Sequence, residues 1–355
     1  MNTIQAKDYS IAFTEEGYKL LNQNIKENEY SKIFIIVDEN SNELCLPNVL
    51  PQIETTAEIE IIELESGEEN KTIETCVQIW NVLIELGADR KSLVINLGGG
   101  VITDMGGFIA ATFKRGIPFI NIPTTLLSMV DAAVGGKNGV DLGGLKNQIG
   151  TITNPELIVI DSRFLETLPQ NQLRSGLAEM LKHGLIAEKS HWEKFKNYAE
   201  ISFENFDILI AESIEIKNKI VTEDPTENGI RKALNFGHTI GHAIETYFLE
   251  NETKKTLLHG EAIAAGIIME SYISLDKKLI TLEEFSEIKT TLNSIFETIE
   301  INENEHQNII KLLIHDKKNE YGKVQFALLN GIGNCKINQT TDNETIIKSF
   351  LDYKN

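Results

Sequence analysis

Ser92-Leu93-Val94-Ile95-Asn96-Leu97 runs directly into Gly98-Gly99-Gly100-Val101-Ile102-Thr103-Asp104-Met105-Gly106-Gly107. The first six residues read as a buried strand. Three glycines then turn the chain, and an apolar, small-residue segment follows at helical spacing. Strand, tight turn and helix in that order make half of a βαβ unit, so the question is whether the same alternation continues on either side. It does. Lys32-Ile33-Phe34-Ile35-Ile36-Val37-Asp38 and Ile59-Glu60-Ile61-Ile62 read as strands before it; Ile117 to Ile122 and Leu157-Ile158-Val159-Ile160-Asp161 read as strands after it. Thr72 to Leu86 lies between two of them with Ile73, Val77, Trp80, Leu83 and Ile84 at helical spacing. The expected fold is α/β, a mostly parallel sheet covered by helices.

Past about Leu165 the strand signal fades. Ser175–Ile186, Asn205–Val221, Gly241–Leu249 and Glu261–Leu275 have helical length and period, and Val324–Leu329 is a single late strand candidate. The expected organisation is therefore an α/β N-terminal domain over 1-165 and a mainly α-helical C-terminal domain over 166-355. A cleft between two such domains is the default place for a site.

Composition narrows the partners. The 355 residues hold 33 Lys+Arg against 53 Asp+Glu, a net charge of -20, with 41% hydrophobic residues. Nucleic acid and anionic membranes would be repelled by such a field. A small anionic substrate remains compatible, provided that cations gather locally. No apolar run approaches the roughly 18–20 residues that span a bilayer, and Met1 to Lys7 lacks the order of a secretory signal. Cys45, Cys76 and Cys335 are odd in number and far apart, which suggests neither disulfides nor a CxxC metal site. A cytoplasmic setting is expected.

Three constellations carry chemistry. The triple glycine opening a helix can bring backbone N–H groups against a pyrophosphate, although the same pattern serves as a ligand-free turn and is not the usual GxGxxG. Pro123-Thr124-Thr125 follows a strand, and Gly135-Gly136-Lys137 and Lys146-Asn147 follow it in a glycine-rich, apolar setting where a solvated surface lysine is the less natural reading. The third is metal-like. His238, His242 and Glu245 share a helical face by i, i+4, i+7 spacing, His259 follows, and Glu179 stands in an upstream helix. A catalytic divalent metal needs about three N/O ligands and an open position. Spacing alone would pair His238 with His242.

Taken together these segments resemble the 3-dehydroquinate synthase family, from about Ser66 to Gly333 and in order. The elements are Gly98–Asp104 (GGGVITD), Phe113–Lys137, Thr167–Pro169 (TLP), Gly176–Lys182 (GLAEMLK), Arg231–Glu245, Leu258–Ala262 (LHGEA) and His315–Lys318 (HDKK). Each is weak alone, and their order and spacing are specific.

The resemblance implies Glu179, His238 and His259 as ligands of zinc or cobalt, and moves His242 to a substrate-contacting, proton-handling position. It implies NAD contacts from Asp38, from Ser66, Gly67, Glu68, Glu69, Asn70 and Lys71, and from Gly100, Val101, Ile102, Thr103 and Asp104. Thr124, Thr125, Lys137, Lys146, Phe164, Leu165, Glu166 and Thr167 complete that set. Substrate contacts are implied for Asp131, Lys137, Asn147, Lys182, Lys217, Arg231, Asn235 and His242. Arg115 matches an arginine offered across a homodimer interface to the substrate phosphate, and Lys318, in preference to Lys317, matches a late phosphate contact.

The implied reaction converts 3-deoxy-arabino-heptulosonate 7-phosphate to 3-dehydroquinate and phosphate. It runs through NAD-linked oxidation at C5, phosphate elimination, re-reduction and an intramolecular aldol, so the cofactor is recycled. Three positions depart from the family: Asn138 stands where threonine is usual, Asp141 where asparagine is usual, and Leu145 where glycine is usual. They bear on the cofactor loop more than on reaction type. Two other activities fit parts of the pattern. Another sugar phosphate cyclase, such as a 2-deoxy-scyllo-inosose synthase, would have no carboxylate for Arg231 to hold. A glycerol dehydrogenase-like metal-dependent alcohol dehydrogenase would lack the lysine-rich VGGK…KN and AExxK set. A non-enzymatic binding protein would not need metal, dinucleotide and substrate motifs together.

Overall fold

The computed structural model describes residues 3–143, 145–196, 203–313 and 324–354. The chain divides into two compact units, Met1–Pro169 and Gln170–Asn355.

Unit 1 contains strands β1 (Ile4–Gln5), β2 (Ser10–Phe13), β3 (Lys32–Asp38), β4 (Glu58–Leu64), β5 (Leu93–Gly98), β6 (Phe119–Pro123), β7 (Lys137–Leu142), β8 (Leu145–Ile152) and β9 (Leu157–Ile160). Its helices are α1 (Thr14–Asn28), α2 (Glu39–Leu44), α3 (Leu46–Val49), α4 (Ile73–Glu85) and α5 (Gly100–Thr112). Seven strands form one sheet in the order β1-β2-β9-β6-β5-β3-β4. All its pairings are parallel except β1 with β2. The uninterrupted apolar runs of β3 and β5 belong to central strands covered on both faces, as parallel sheets require. Phe34, Ile36, Val94, Ile102, Phe108 and Phe119 share one such packed cluster. At about 1.5–3 kcal/mol for each fully buried large apolar side chain, these strands supply much of the driving force for the unit.

The strand order marks a candidate ligand position. The chain leaves β3 to form the edge strand β4, then returns to the other side of β3 as β5 and continues outward. The carboxyl ends of β3 and β5 flank that reversal, where open α/β sheets hold their ligands. Asp38 closes β3, Gly98 closes β5 and Pro123 closes β6. The five strands expected from sequence are all present. The periodicity missed β1 and β2, which are too short to show a pattern, and the antiparallel hairpin β7–β8, whose glycines hide the alternation.

Unit 2 contains α6 (Gln170–Ala187), α7 (Lys189–Glu193), α8 (Phe203–Glu223), α9 (His238–Glu250), α10 (His259–Asp276), α11 (Leu282–Ile295), α12 (His306–Leu313) and α13 (Asn343–Lys354), with a small antiparallel pair β10 (Phe326–Leu329) and β11 (Cys335–Gln339). The late strand candidate therefore has a partner. Helix α10 is central: it packs against α6, α9, α11 and α13 and is apolar around most of its circumference. Among the described residues no helix is long and apolar enough to cross a membrane.

Candidate active site

In unit 1 the glycine turn delivers two kinds of residue. Ile102 and Thr103 are 1% exposed and face inward, whereas Gly100, Val101 and Asp104 are half-buried on the open side. Thr103 uses its hydroxyl on the carbonyls of Gly99 and Gly100 and meets the Ser128 hydroxyl at 3.1 Å, so it holds the turn in place. Thr124 is buried, with its N–H on Gly98 O at 2.9 Å, and Thr125 Oγ1 accepts from Ser128 N–H at 3.2 Å. Asp38 caps α2: its Oδ1 accepts the Ser41 N–H at 2.7 Å, and Ser41 Oγ accepts the Asp38 N–H in return.

The Ser66–Lys71 loop is tied to its surroundings at both ends. Ser66 N–H and Oγ donate to the Glu39 carboxylate, and Glu68 meets Lys146 Nζ at 3.3 Å. Lys71, 3% exposed, places Nζ 2.7 Å from Asp104 Oδ2 and 2.8 Å from Asn147 Oδ1. Burial would lower the Lys71 ammonium, but Asp104 and Glu68 outweigh it and hold it above its ordinary value. Asp104 moves up as well, because its desolvation exceeds the help from Lys71.

Asp141 completes this network. Its Oδ1 accepts the Asn147 N–H at 2.6 Å and its own N–H donates to Lys71 O, which secures Asn147 in a left-handed conformation (φ 51°). Asn138 is buried in the hairpin and donates to Gly136 O and Thr153 O. Both departures from the family pattern are thus built into the hairpin. The Leu145 side chain lies outside the described residues.

Lys137 is exposed and Asp131 is half-buried. Arg115 is exposed on a turn where Lys114 (φ 50°), Arg115 (φ 73°) and Gly116 (φ 106°) are all left-handed, a strained path for two non-glycine residues. It lines an open groove with Asp89, Arg90 and Lys114. Phe164 and Leu165 pack inward, and Glu166 and Thr167 are exposed. The turn that carries them starts at Asp161, a fully buried carboxylate bound by Tyr18 Oη at 2.9 Å and by Arg163 Nε at 2.8 Å.

Unit 2 concentrates buried charge. Glu179 on α6 is 0% exposed and neither carboxylate oxygen has a hydrogen bond, although Lys182, one turn on and 1% exposed, is ion-paired to its Oε2. Oε1 faces His238 Nε2 at 3.4 Å and His259 Nε2 at 3.6 Å. The other ring nitrogens are used: His238 Nδ1 lies 3.1 Å from Phe236 O, and His259 Nδ1 lies 3.4 Å from Glu245 Oε2. A carbonyl or carboxylate at Nδ1 favours the tautomer protonated there, which leaves Nε2 as the atom that a cation beside Glu179 would take. Burial alone would lower the His259 imidazole, but Glu245 and Glu179 push it up to about 9.

His242 is close by, its ring 5.1 Å from that of His238 and 5.7 Å from that of His259, and ligand atoms of these three histidines lie within 4.8 Å of one another. The Nε2 atoms of buried His238 and half-buried His259, converging on a buried carboxylate that has no hydrogen bond, are what a divalent cation requires. The donor set fits the group.

Two further cations are buried in the same unit. Lys217 on α8 is 5% exposed, and Arg231, in the 3-10 segment Ile230–Asn235, is 3% exposed. Arg231 Nη1 donates to Pro225 O, and Asn235 Nδ2 donates to Glu227 Oε1 at 2.6 Å. Helices α6 and α8 and that segment pack on one another. Sequence reasoning passed over Glu227, whose left-handed φ of 61° was invisible there. Lys318 and Lys317 lie outside the described residues.

The fold is dehydroquinate synthase-like. It superposes with a TM-score of 0.87 and 27% identity, over 99% of both chains, on the crystal structure of 2-deoxy-scyllo-inosose synthase complexed with carbaglucose-6-phosphate, NAD+ and Co2+. Residues 61–175 match the family described as 3-dehydroquinate synthase N-terminal, and residues 176–319 match 3-dehydroquinate synthase C-terminal. A 3-dehydroquinate synthase of Parabacteroides distasonis is 43% identical over 335 residues, 92% of each chain. One of Campylobacter jejuni is 37% identical over 352 residues, 97% of this chain and 99% of the relative. The chain belongs to the 3-dehydroquinate synthase family, a family of enzymes.

Proposed function

We propose that this protein converts 3-deoxy-D-arabino-heptulosonate 7-phosphate to 3-dehydroquinate and phosphate in the shikimate pathway to aromatic amino acids, as a cytoplasmic homodimer using NAD and Zn2+ or Co2+. The observation that carries the reading is the buried Glu179 carboxylate, faced by His238 and His259 Nε2 and accompanied by three buried cations, in a chain of net charge -20. A substrate with both a phosphate and a carboxylate is what such a gathering of cations suits.

Bound NAD supplies a reversible oxidation of the substrate, and the bound metal polarises the oxygen being oxidised. The chain's own groups do the rest. Glu179, His238 and His259 are the proposed metal ligands, and His242 the proton-handling residue. Lys182 and Lys217 offer charge where water is excluded, and Arg231 with Asn235 receives the substrate carboxylate. From unit 1, Asp131, Lys137 and Asn147 are proposed as substrate contacts. The dinucleotide is proposed at the carboxyl ends of β3, β5 and β6, against Asp38, the Ser66–Lys71 loop, Gly100 to Asp104, Thr124, Thr125, Lys137, Lys146 and the Phe164–Thr167 turn. Arg115 and Lys318 are proposed to serve the phosphate, Arg115 across a dimer.

A single-turnover assay of phosphate release with authentic substrate tests the reading. Phosphate should appear with catalytic NAD and without net NADH. Stoichiometric NADH would instead indicate a dehydrogenase, and equal turnover of a sugar phosphate lacking the C1 carboxylate would indicate another cyclase. Mixing Arg115→Ala with a Lys182-inactivated protein should recover activity if the site is shared between subunits; no recovery despite subunit exchange would refute the sharing.

A further inference from the structure

Helix α10 carries one carboxylate in an apolar run, Ala262-Ile263-Ala264-Ala265-Gly266-Ile267-Ile268-Met269-Glu270. Glu270 is 0% exposed, so its charge must be met inside the protein. Glu270 Oε2 accepts the Gly237 N–H at 2.8 Å and Oε1 accepts the Ile240 N–H at 3.0 Å. Gly237 is the N-cap of α9 and has no side chain to cap with, and Ile240 is the third residue of the helix. One carboxylate from a neighbouring helix thus performs both halves of a capping box, and it sits at the positive end of the α9 dipole.

Close packing makes this possible. A Cβ on Gly266 would lie 1.9 Å from Gly237 O, and one on Gly237, whose φ is +79°, would lie 2.5 Å from Ile267 Cγ1. With glycine at both positions, α10 comes near enough for Glu270 to reach the first turn of α9.

The consequence reaches the metal-like cluster through one peptide. The N–H that Glu270 binds at Gly237 and the carbonyl of Phe236 belong to the same peptide unit. That carbonyl lies 3.1 Å from His238 Nδ1. An anion on the N–H side polarises the amide and makes its oxygen a stronger acceptor. The imidazole then holds its proton on Nδ1 and presents a more electron-rich Nε2. We propose that Glu270 is a positioning residue for the metal site: through the Phe236–Gly237 peptide and the first turn of α9 it fixes the tautomer, ring orientation and donor strength of His238. The proposal rests on the reading of His238 as a ligand.

The test uses Co2+ as the probe on the full-length protein. Glu270→Gln keeps the shape, removes the charge, and sets an amide NH2 against one of the two backbone N–H groups. Its Co2+ affinity, by competition with a chromophoric chelator, should fall about 10- to 100-fold, the usual cost of losing an outer-shell partner, and the visible Co2+ absorption should shift. Leu292→Ala, a destabilising change on α11, should leave affinity and spectrum unaltered.

A folded Glu270→Gln protein with affinity within about twofold of wild type and an unchanged spectrum would overturn the proposal, whatever its melting temperature. Should that variant not fold, wild-type hydrogen exchange decides the matter: Co2+ should slow exchange at the Gly237 and Ile240 amides, and unchanged exchange there would refute the coupling. Wild-type protein that takes up no Co2+ overturns the metal reading as well, a distinguishable failure.

Discussion

The two units handle buried charge in opposite ways. In unit 1, Lys71 is matched by Asp104 and by the Asn147 amide oxygen, and Asp141 takes the Asn147 N–H. That network is internally satisfied, and Arg115 and Lys137, the cations proposed for ligands, are exposed. In unit 2, Lys182, Lys217 and Arg231 are all at least 95% buried, and Glu179 is wholly buried without a hydrogen bond. A satisfied polar network fixes a loop to a scaffold. A buried carboxylate without hydrogen bonds, met by Lys182 at one oxygen and by two histidine nitrogens at the other, is stabilised further when a cation binds. The Lys71 network of unit 1 holds backbone in place, and the Glu179 cluster of unit 2 groups the donors that a cation could take.

The largest expected effect follows from that stabilisation. Removing divalent metal with a chelator should abolish turnover, and Zn2+ or Co2+ should restore it. The same treatment should lower the thermal midpoint of unit 2 more than that of unit 1, because metal binding to the native state alone stabilises it by mass action. Full activity in demonstrably metal-free protein would break the comparison at its root.

Next in size is the buried pair of unit 1. Lys71→Met leaves Asp104 without its ammonium and should cost about 3–5 kcal/mol in denaturant unfolding, the usual effect of removing one partner of a buried pair. Lys182→Met should cost less in metal-loaded protein, since the metal still meets Glu179, and more after metal is removed. Equal losses in all three states would show that Glu179 and Asp104 are held alike.

The substrate carboxylate offers a sharper probe. Arg231→Ala should weaken a carbacyclic phosphonate analogue carrying the carboxylate by about 2–5 kcal/mol, by analogy with truncated buried charge pairs. An analogue without the carboxylate should bind wild type and variant alike. Equal weakening of both, measured by calorimetry, would remove Arg231 as the carboxylate receptor.

Much of this is legible in the sequence. The apolar runs of β3 and β5 gave the sheet because a strand buried on both faces leaves an uninterrupted signature. The helices of unit 2 gave their period, and the histidine cluster stood out because three of the chain's 7 histidines fall together. Tertiary partnerships were not legible. Spacing linked His238 to His242 along one helix, but the Glu179 carboxylate that His238 and His259 face comes from α6, which no local period reveals. Glu270 left a readable trace, a lone carboxylate in the apolar run Ala262–Glu270, and its partners at Gly237 and Ile240 did not. Hairpin β7–β8 hid behind glycines that are needed where its strands approach closely: a Cβ on Gly150 would lie 2.4 Å from Asn138 O.

The smallest expected effect tests whether the unit 1 network matters for function at all. Asp141 holds the Asn147 N–H at 2.6 Å, and burial raises its carboxyl above the ordinary value despite that bond. What the loop requires there is an acceptor oxygen. Asp141→Asn keeps one, and it restores the residue usual in the family, so it should leave cofactor and substrate KM within about twofold of wild type. Asp141→Ala removes the acceptor and releases Asn147 from its left-handed conformation. A neutral hydrogen bond is worth about 1 kcal/mol, so substrate KM should rise about fivefold with kcat nearly unchanged, because a loosened loop costs binding before it costs chemistry. If Asn behaves like Ala, the charge near Lys71 is what counts and the hydrogen bond is incidental. If neither substitution has an effect, Asn147 is held without Asp141, and that departure from the family pattern carries no functional weight.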